Sequence, residues 1–130
     1  MDLLTNMIAN IKGGYQNKID IIRIQKSNFC IDILDLLYKE GYILGYKMDP
    51  LNKNKIIVFL KYIVNTPAIS HIECISTQGR RSYSRISLLW QTKKLNQEKI
   101  TYVLSTTSGL MTDKEALKRR LGGELLFKIF

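Results

Sequence analysis

The sequence predicts an α+β protein made of two small packed lobes: an N-terminal α-β-α-β-β lobe over residues 1–64, and a C-terminal, mostly β lobe with one short helix over residues 65–130. Three observations lead there. Apolar residues recur at helical spacing in two stretches before residue 41, and Ile-rich runs follow each of them. Asn65-Thr66-Pro67 interrupts this pattern, since Pro67 lacks an amide hydrogen and disfavours helix just before it. The last third of the chain holds one helix signature between two strand-like runs, with a row of hydroxyl residues in front of it. With 130 residues and 45% hydrophobic content, the chain is long and apolar enough to bury a core, and it is not a disordered tail.

Each element has its own reason. Asp2 can cap a first helix over Leu3 to Lys12, in which Leu4, Met7, Ile8 and Ile11 fall at i, i+3, i+4 and i+7. Gly13-Gly14 should end it. Lys18 to Ile24 reads as a strand. Ser27 can cap a second helix to about Glu40, with Cys30, Ile33, Leu34 and Leu37 on its apolar stripe and Gly41 closing it. Ile43–Met48 and Ile56–Tyr62 read as a hairpin around Asp49-Pro50-Leu51-Asn52-Lys53-Asn54, which is dense in turn residues. Beyond Pro67, His71 to Ser76 is a strand, Thr77-Gln78-Gly79-Arg80 a turn, and Arg81-Ser82-Tyr83 the start of a return strand. Leu88-Leu89-Trp90 must bury somewhere within Ser84–Lys99, where the pattern is weakest. Ile100 to Leu104 is again a strand.

The next stretch, Ser105-Thr106-Thr107-Ser108-Gly109, reads as a hydroxyl loop. A packed core has little use for such a run, because every buried hydroxyl needs a partner. A surface that meets phosphates and riboses can use it, and Gly109 lets the backbone turn sharply or approach a ligand. Thr112-Asp113-Lys114-Glu115 is a capping box, with Met111 and Ala116 at the staple positions. Asp113 and Glu115 suit the positive end of the helix dipole, and Lys118-Arg119-Arg120 its negative end. Gly122 or Gly123 should adopt the left-handed geometry that ends helices. Glu124 to Phe130 alternates as a final strand, with Leu125, Phe127 and Ile129 on one face.

The net charge is +9, and a compact chain this basic meets a polyanion. No basic amphipathic helix stands out, which favours nucleic acid over a membrane surface. No apolar run is long enough to span a bilayer. Cys30 and Cys74 lie far apart outside any Cys-x-x-Cys pattern, and His71 is the one histidine, so neither a disulfide scaffold nor a metal site is expected. An enzyme using Ser105 or Thr106 as nucleophile would need His71 beside it, and nothing in the sequence places it there. Asp32, Asp35 and Glu40 read as the solvated face of the second helix rather than an acid–base pair. The Asp113–Arg120 helix is short and acidic at its start, which argues against major-groove DNA reading. Met1-Asp2-Leu3-Leu4 runs straight into a helix and does not read as a signal or transit peptide. A bias toward Ile, Asn, Lys and Tyr over Ala hints at an AT-rich genome, as in an organelle.

Several stretches together carry a resemblance. Ser105-Thr106 with Gly109, then Met111-Thr112-Asp113, Ala116 and Leu121-Gly122-Gly123-Glu124, resemble the C-terminal signature of the small-subunit ribosomal protein eight family. Weaker matches lie in Asp2, Met7, Ile11 and Lys12, in Leu37-Tyr38-Lys39-Glu40-Gly41-Tyr42-Ile43, in Leu60-Lys61-Tyr62, and in Ser76, Gly79, Arg81 and Tyr83. The chain departs from the family pattern at Asn6 and Asn10, at Thr107 and Ser108 (the last a Lys in the family), and at Arg120, where the family has Gly.

The resemblance implies a structural constituent of the small ribosomal subunit. It would bind the central domain of small-subunit ribosomal RNA, support assembly and translation, and touch neighbouring ribosomal proteins, with no membrane, small-molecule substrate, cofactor or metal. The alternative it implies is an RNA-binding repressor acting on its own messenger RNA. With the compositional bias it points to the mitochondrial ribosome, or else to a bacterial cytoplasm or plastid. Ser105, Thr106 and Thr107 would bond riboses and base edges, Gly109 would let the backbone come close, and Gly122-Gly123 would fix the neighbouring turn beside Thr112 and Glu124. Arg80, Arg81, Lys118 and Lys12 would neutralise phosphates, and Tyr83 would stack on a base or bond a ribose.

Overall fold

The computed structural model describes residues 3–75, 83–84 and 100–130. It is a mixed α+β protein in which the chain forms two compact units, Met1–Ser70 and His71–Phe130. The cap at Asp2, the turn Thr77–Arg80, Arg81 and the stretch 85–99 lie outside the described residues.

In the first unit the order is α1 (Leu3–Gln16), β1 (Ile21–Gln25), α2 (Asn28–Lys39), β2 (Ile43–Met48) and β3 (Lys55–Leu60). The three strands form an antiparallel sheet in the order β1-β3-β2. Leu4, Met7, Ile8 and Ile11 of α1 and Ile33, Leu34 and Leu37 of α2 are buried, as are Ile24, Ile56, Val58 and Leu60 of the sheet. Each such side chain contributes roughly 1.5–3 kcal/mol by leaving water, so these two apolar helix faces are the main reason the unit folds.

α1 does not end at Gly13-Gly14 as its glycines suggest; it runs on to Gln16. The reason is close packing. A Cβ on Gly14 would lie 2.7 Å from Leu60 Cδ1 and 2.8 Å from Ile22 Cγ2, so the missing side chain lets the helix press onto the sheet. The extra turn also carries Tyr15 inward, where its hydroxyl donates to the Tyr42 carbonyl at 2.8 Å and accepts from the Lys61 amide at 3.3 Å. Burial pushes the Tyr15 phenol above its ordinary pKa. The stop comes at Lys18, whose φ of 55° is left-handed. Ile19 N–H donates to Gly14 O at 2.9 Å and Lys18 N–H to Tyr15 O at 3.3 Å, the paired closure common at helix ends. β1 accordingly begins at Ile21, later than its apolar run suggests.

Adjacent glycines should therefore respond with opposite signs. Gly13→Ala has nothing within 4 Å of the new Cβ, and it should stabilise by about 0.5–1 kcal/mol through helix propensity. Gly14→Ala should destabilise by about 1–3 kcal/mol through overpacking. Urea denaturation of the two variants checks both; equal effects would refute the close-approach account.

α2 follows its sequence signals. Ser27 Oγ accepts from Cys30 N at 3.0 Å, and Gly41, at φ 81°, closes the helix with Tyr42 N–H on Leu37 O at 2.8 Å. The β2–β3 connection is held by Asp49, which accepts from Leu51 N at 2.9 Å and from Arg23 Nε at 3.2 Å. Those contacts, the Leu51 amide first, hold its carboxyl below the usual range. After β3 comes a tight hairpin, β4 (Tyr62–Ile63) with β5 (Thr66–Pro67). Its turn residues Val64 and Asn65 both have positive φ, 49° and 63°, the pattern of a type I′ turn.

The second unit is mostly β with one short helix. It contains β6 (Ile72–Cys74), β7 (Tyr83–Ser84), β8 (Thr101–Thr106), β9 (Gly109–Thr112), α3 (Asp113–Arg119) and β10 (Gly123–Ile129). β10 is the spine: β6 and β7 pair along it in succession, and β8 pairs on the other side with β9 beyond. The β10–β8 register shifts between Leu125 and Phe127, which makes Leu126 a bulge residue. Val103, Leu104, Leu126, Phe127 and Ile129 are buried. Cys30 is buried and Cys74 is half-buried, with no disulfide between them, and the Cys74 thiol donates to Leu126 O at 3.8 Å. His71 packs on Phe130 with ring centroids 4.7 Å apart, and its backbone exchanges hydrogen bonds with that residue. No helix among the described residues is long and apolar enough to cross a membrane.

Candidate nucleic-acid interface

The hydroxyl stretch is not a loop followed by a helix. β8 continues through Ser105 and Thr106, and the chain reverses over two residues, Thr107-Ser108, into a second strand, Gly109–Thr112. Thr106 pairs with Gly109, Ser105 with Leu110, Leu104 with Met111 and Val103 with Thr112. Gly109 is the residue that bears the positive φ of the reversal, at 109°. Thr106 ties the turn from inside. Its Oγ1 donates to Gly109 O at 2.9 Å and accepts from Ser108 N at 3.2 Å.

Strand alternation now sorts the hydroxyls. Thr106 shares a face with Leu104 and Met111, and its Oγ1 lies 3.9 Å from Met111 Sδ. That face carries the cluster Leu104, Met111 and Ala116, on which Tyr102, Leu117, Leu121 and Leu125 of the same unit pack. Ser105 lies on the opposite face, paired across to Glu124 of β10. Thr107 and Ser108 are exposed at the tip. Ser105, Thr106 and Thr107 are thus brought together in one hairpin, yet they point in three directions.

α3 grows directly out of β9. Thr112 is 5% exposed and its Oγ1 accepts from Glu115 N at 3.4 Å, so this hydroxyl is the helix N-cap. Asp113, fully buried, accepts from Lys114 N at 2.8 Å. Glu115 Oε1 accepts from Arg119 Nε at 2.8 Å, one turn on. The left-handed residue that stops the helix is Arg120, with φ 57° and ψ 47°, rather than Gly122 or Gly123. Leu121 N–H on Ala116 O at 2.8 Å and Arg120 N–H on Leu117 O at 3.2 Å complete the closure. A side chain in this region costs on the order of 1 kcal/mol relative to glycine.

Gly123 has a different task. It opens β10, and a Cβ there would lie 3.0 Å from the Ser105 carbonyl carbon, 3.2 Å from Thr106 Cα, and closer still to the Ser105 oxygen. The backbone of the hydroxyl strand therefore rests directly on Gly123. Glu124, next along, is half-buried between Ser105 on one side and Tyr83 on the other. Lys118 is exposed on α3. Lys12 lies half-buried on α1 of the first unit, and Arg80 and Arg81 fall outside the described residues. Two residues stand beside these without being among the sequence candidates: Ser108, exposed in the turn, and Arg120. Spacing within a hairpin points to the first, and the glycine that the family pattern has at position 120 points to the second.

The sequence matches the family described as Ribosomal protein S8 over residues 2–130. The chain belongs to the ribosomal protein S8 family. It is 41% identical to small ribosomal subunit protein uS8m, the mitochondrial form, of Acanthamoeba castellanii, over 99% of both chains. It is 38% identical to small ribosomal subunit protein uS8 of Malacoplasma penetrans, over 97% of this chain and 95% of that one. The uS8 of Pelagibacter ubique matches at 38% over 99% and 97%. As an S8 protein the chain is a structural, non-enzymatic ribosomal component.

Proposed function

We propose that this S8 protein binds the central domain of small-subunit ribosomal RNA in a mitochondrial ribosome, supporting assembly of that domain. The observation that carries the reading is the β8–β9 hairpin. Ser105 stands on one face of it and Thr107-Ser108 at its tip, with the Ser105–Thr106 backbone resting on Gly123. Hydroxyls on a rigid strand pair suit ribose hydroxyls, phosphates and base edges. They do not require entry into the deep major groove of A-form RNA, which side chains cannot read. Thr106, Thr112, Gly109, Gly122, Gly123 and Glu124 hold the hairpin in shape. Ser105 and Thr107 make contact, and Lys118 supplies charge, with Lys12, Arg80, Arg81 and Tyr83 as further contacts. The +9 chain adds an electrostatic attraction that releases counterions on binding. Composition and the uS8m relative support the mitochondrial placement.

The test is binding to the central-domain hairpin of the same genome's small-subunit RNA, across several salt concentrations, beside a perfect RNA duplex of equal length and a DNA duplex. The hairpin should bind about 100-fold or more tightly than either control, since nonspecific binding rests on phosphate charge alone. Equal affinity for all three would leave only the charge and refute shape-specific recognition.

A further inference from the structure

We propose that Arg120 grips a backbone phosphate of the bound RNA, with its guanidinium held out at the end of α3 by a backbone shape that works against stability. The inference rests on the RNA-binding reading above. At φ 57° and ψ 47° the residue occupies a region that a Cβ disfavours. α2 closes with the same hydrogen-bond pattern on Gly41, at φ 81°, and α1 with it on Lys18, at φ 55°. The fold thus needs the backbone shape, and glycine supplies it without strain. Stopping the helix gives no reason for an arginine.

The ordinary reasons for a cation here are already met by other residues. Lys118 and Arg119 sit in the last turn, where they answer the helix dipole. Glu115 is taken by Arg119 at 2.8 Å, and among the described residues Arg120 makes no ion pair. Its side chain is exposed. Its place is also specific. Leu121, the next residue, packs on the Leu104–Met111–Ala116 cluster, and Gly123, three residues on, carries the Ser105–Thr106 backbone. Arg120 is therefore one residue along the chain from the apolar cluster under the hairpin and three from the glycine on which the hairpin backbone rests. A planar guanidinium there can meet two phosphate oxygens at once, which an ammonium cannot.

Arg120→Gly in the full chain tests this with two readouts that should move in opposite directions. The thermal midpoint should rise by about 2–6 °C as the strain is relieved. Affinity for the central-domain hairpin RNA at about 0.15 M salt should fall about 5- to 20-fold, and the slope of log affinity against log salt should lose about one unit. Arg120→Lys should restore the slope but only part of the affinity, because the charge returns without the fork. If the wild-type chain shows no preference for the hairpin over the duplex controls, the RNA-binding reading fails and takes this inference with it. If the wild type prefers the hairpin and Arg120→Gly binds it equally with an unchanged slope, only the role of Arg120 is overturned.

Discussion

Gly123→Ala is expected to cost about 3 kcal/mol or more and to unfold the C-terminal unit well below the wild-type midpoint. The added methyl would be driven into backbone: the Ser105 carbonyl, 3.0 Å from its carbon, and Thr106 Cα at 3.2 Å. No rotamer change relieves such a clash, because none of these atoms belongs to a side chain. β10 and β8 would have to part where Glu124 pairs with Ser105. The ladder that carries the hydroxyl hairpin would open with them. Gly14→Ala is the milder comparison, since its new methyl meets the ends of Leu60 and Ile22, which can shift. Hydrogen exchange on the full chain separates local from global loss. Amides of β8 and β10 should lose protection first, while those of α1 and β3 keep theirs. A Gly123→Ala protein melting within 2 °C of wild type would mean that the close approach is not required for stability.

The periodic parts of the fold were legible in the sequence because side-chain burial alone decides them. The α1 stripe, the Ser27 cap and the β2–β3 hairpin stand where spacing puts them, except that β3 stops at Leu60 and Tyr62 opens the next hairpin. Glycine misleads at two places, Gly13-Gly14 and Gly122-Gly123. A glycine that permits close approach and one that permits a left-handed turn look alike until the neighbouring strand is known. Conversely, Lys18 and Arg120 end helices in left-handed geometry without a glycine; the family's glycine at position 120 is the one pointer to the second stop, and nothing local marks the first. The run Ser105–Ser108 reads as a loop in sequence because hydroxyl residues serve loops and strands alike. What decides it is non-local: Thr106 pairs with Gly109 while its hydroxyl bonds the turn, so a run of four hydroxyls splits into two strand residues and two turn residues. The grouping of the candidate hydroxyls in one place was readable, but their division between opposite faces was not.

That division separates contact from support within one hairpin, and alanine variants should show it. Ser105→Ala with Thr107→Ala should weaken binding of the central-domain hairpin RNA by about 10- to 50-fold, the loss of two hydrogen bonds at roughly 1 kcal/mol each. The thermal midpoint should stay within about 2 °C, because Thr107 is exposed and the hydroxyl that ties the turn belongs to Thr106. Thr106→Ala should behave differently. It removes the donor to Gly109 O and the acceptor for Ser108 N, so stability should fall by about 1 kcal/mol. Affinity should then fall only as far as the tip loosens, and Thr106→Ser, which keeps the hydroxyl, should recover it. Binding isotherms and melts on the same three proteins decide between support and contact. If Ser105→Ala with Thr107→Ala binds like wild type, the hairpin is not the RNA surface. If Thr106→Ala leaves stability intact yet abolishes binding, Thr106 itself touches RNA, and its bonds within the turn are incidental to that role.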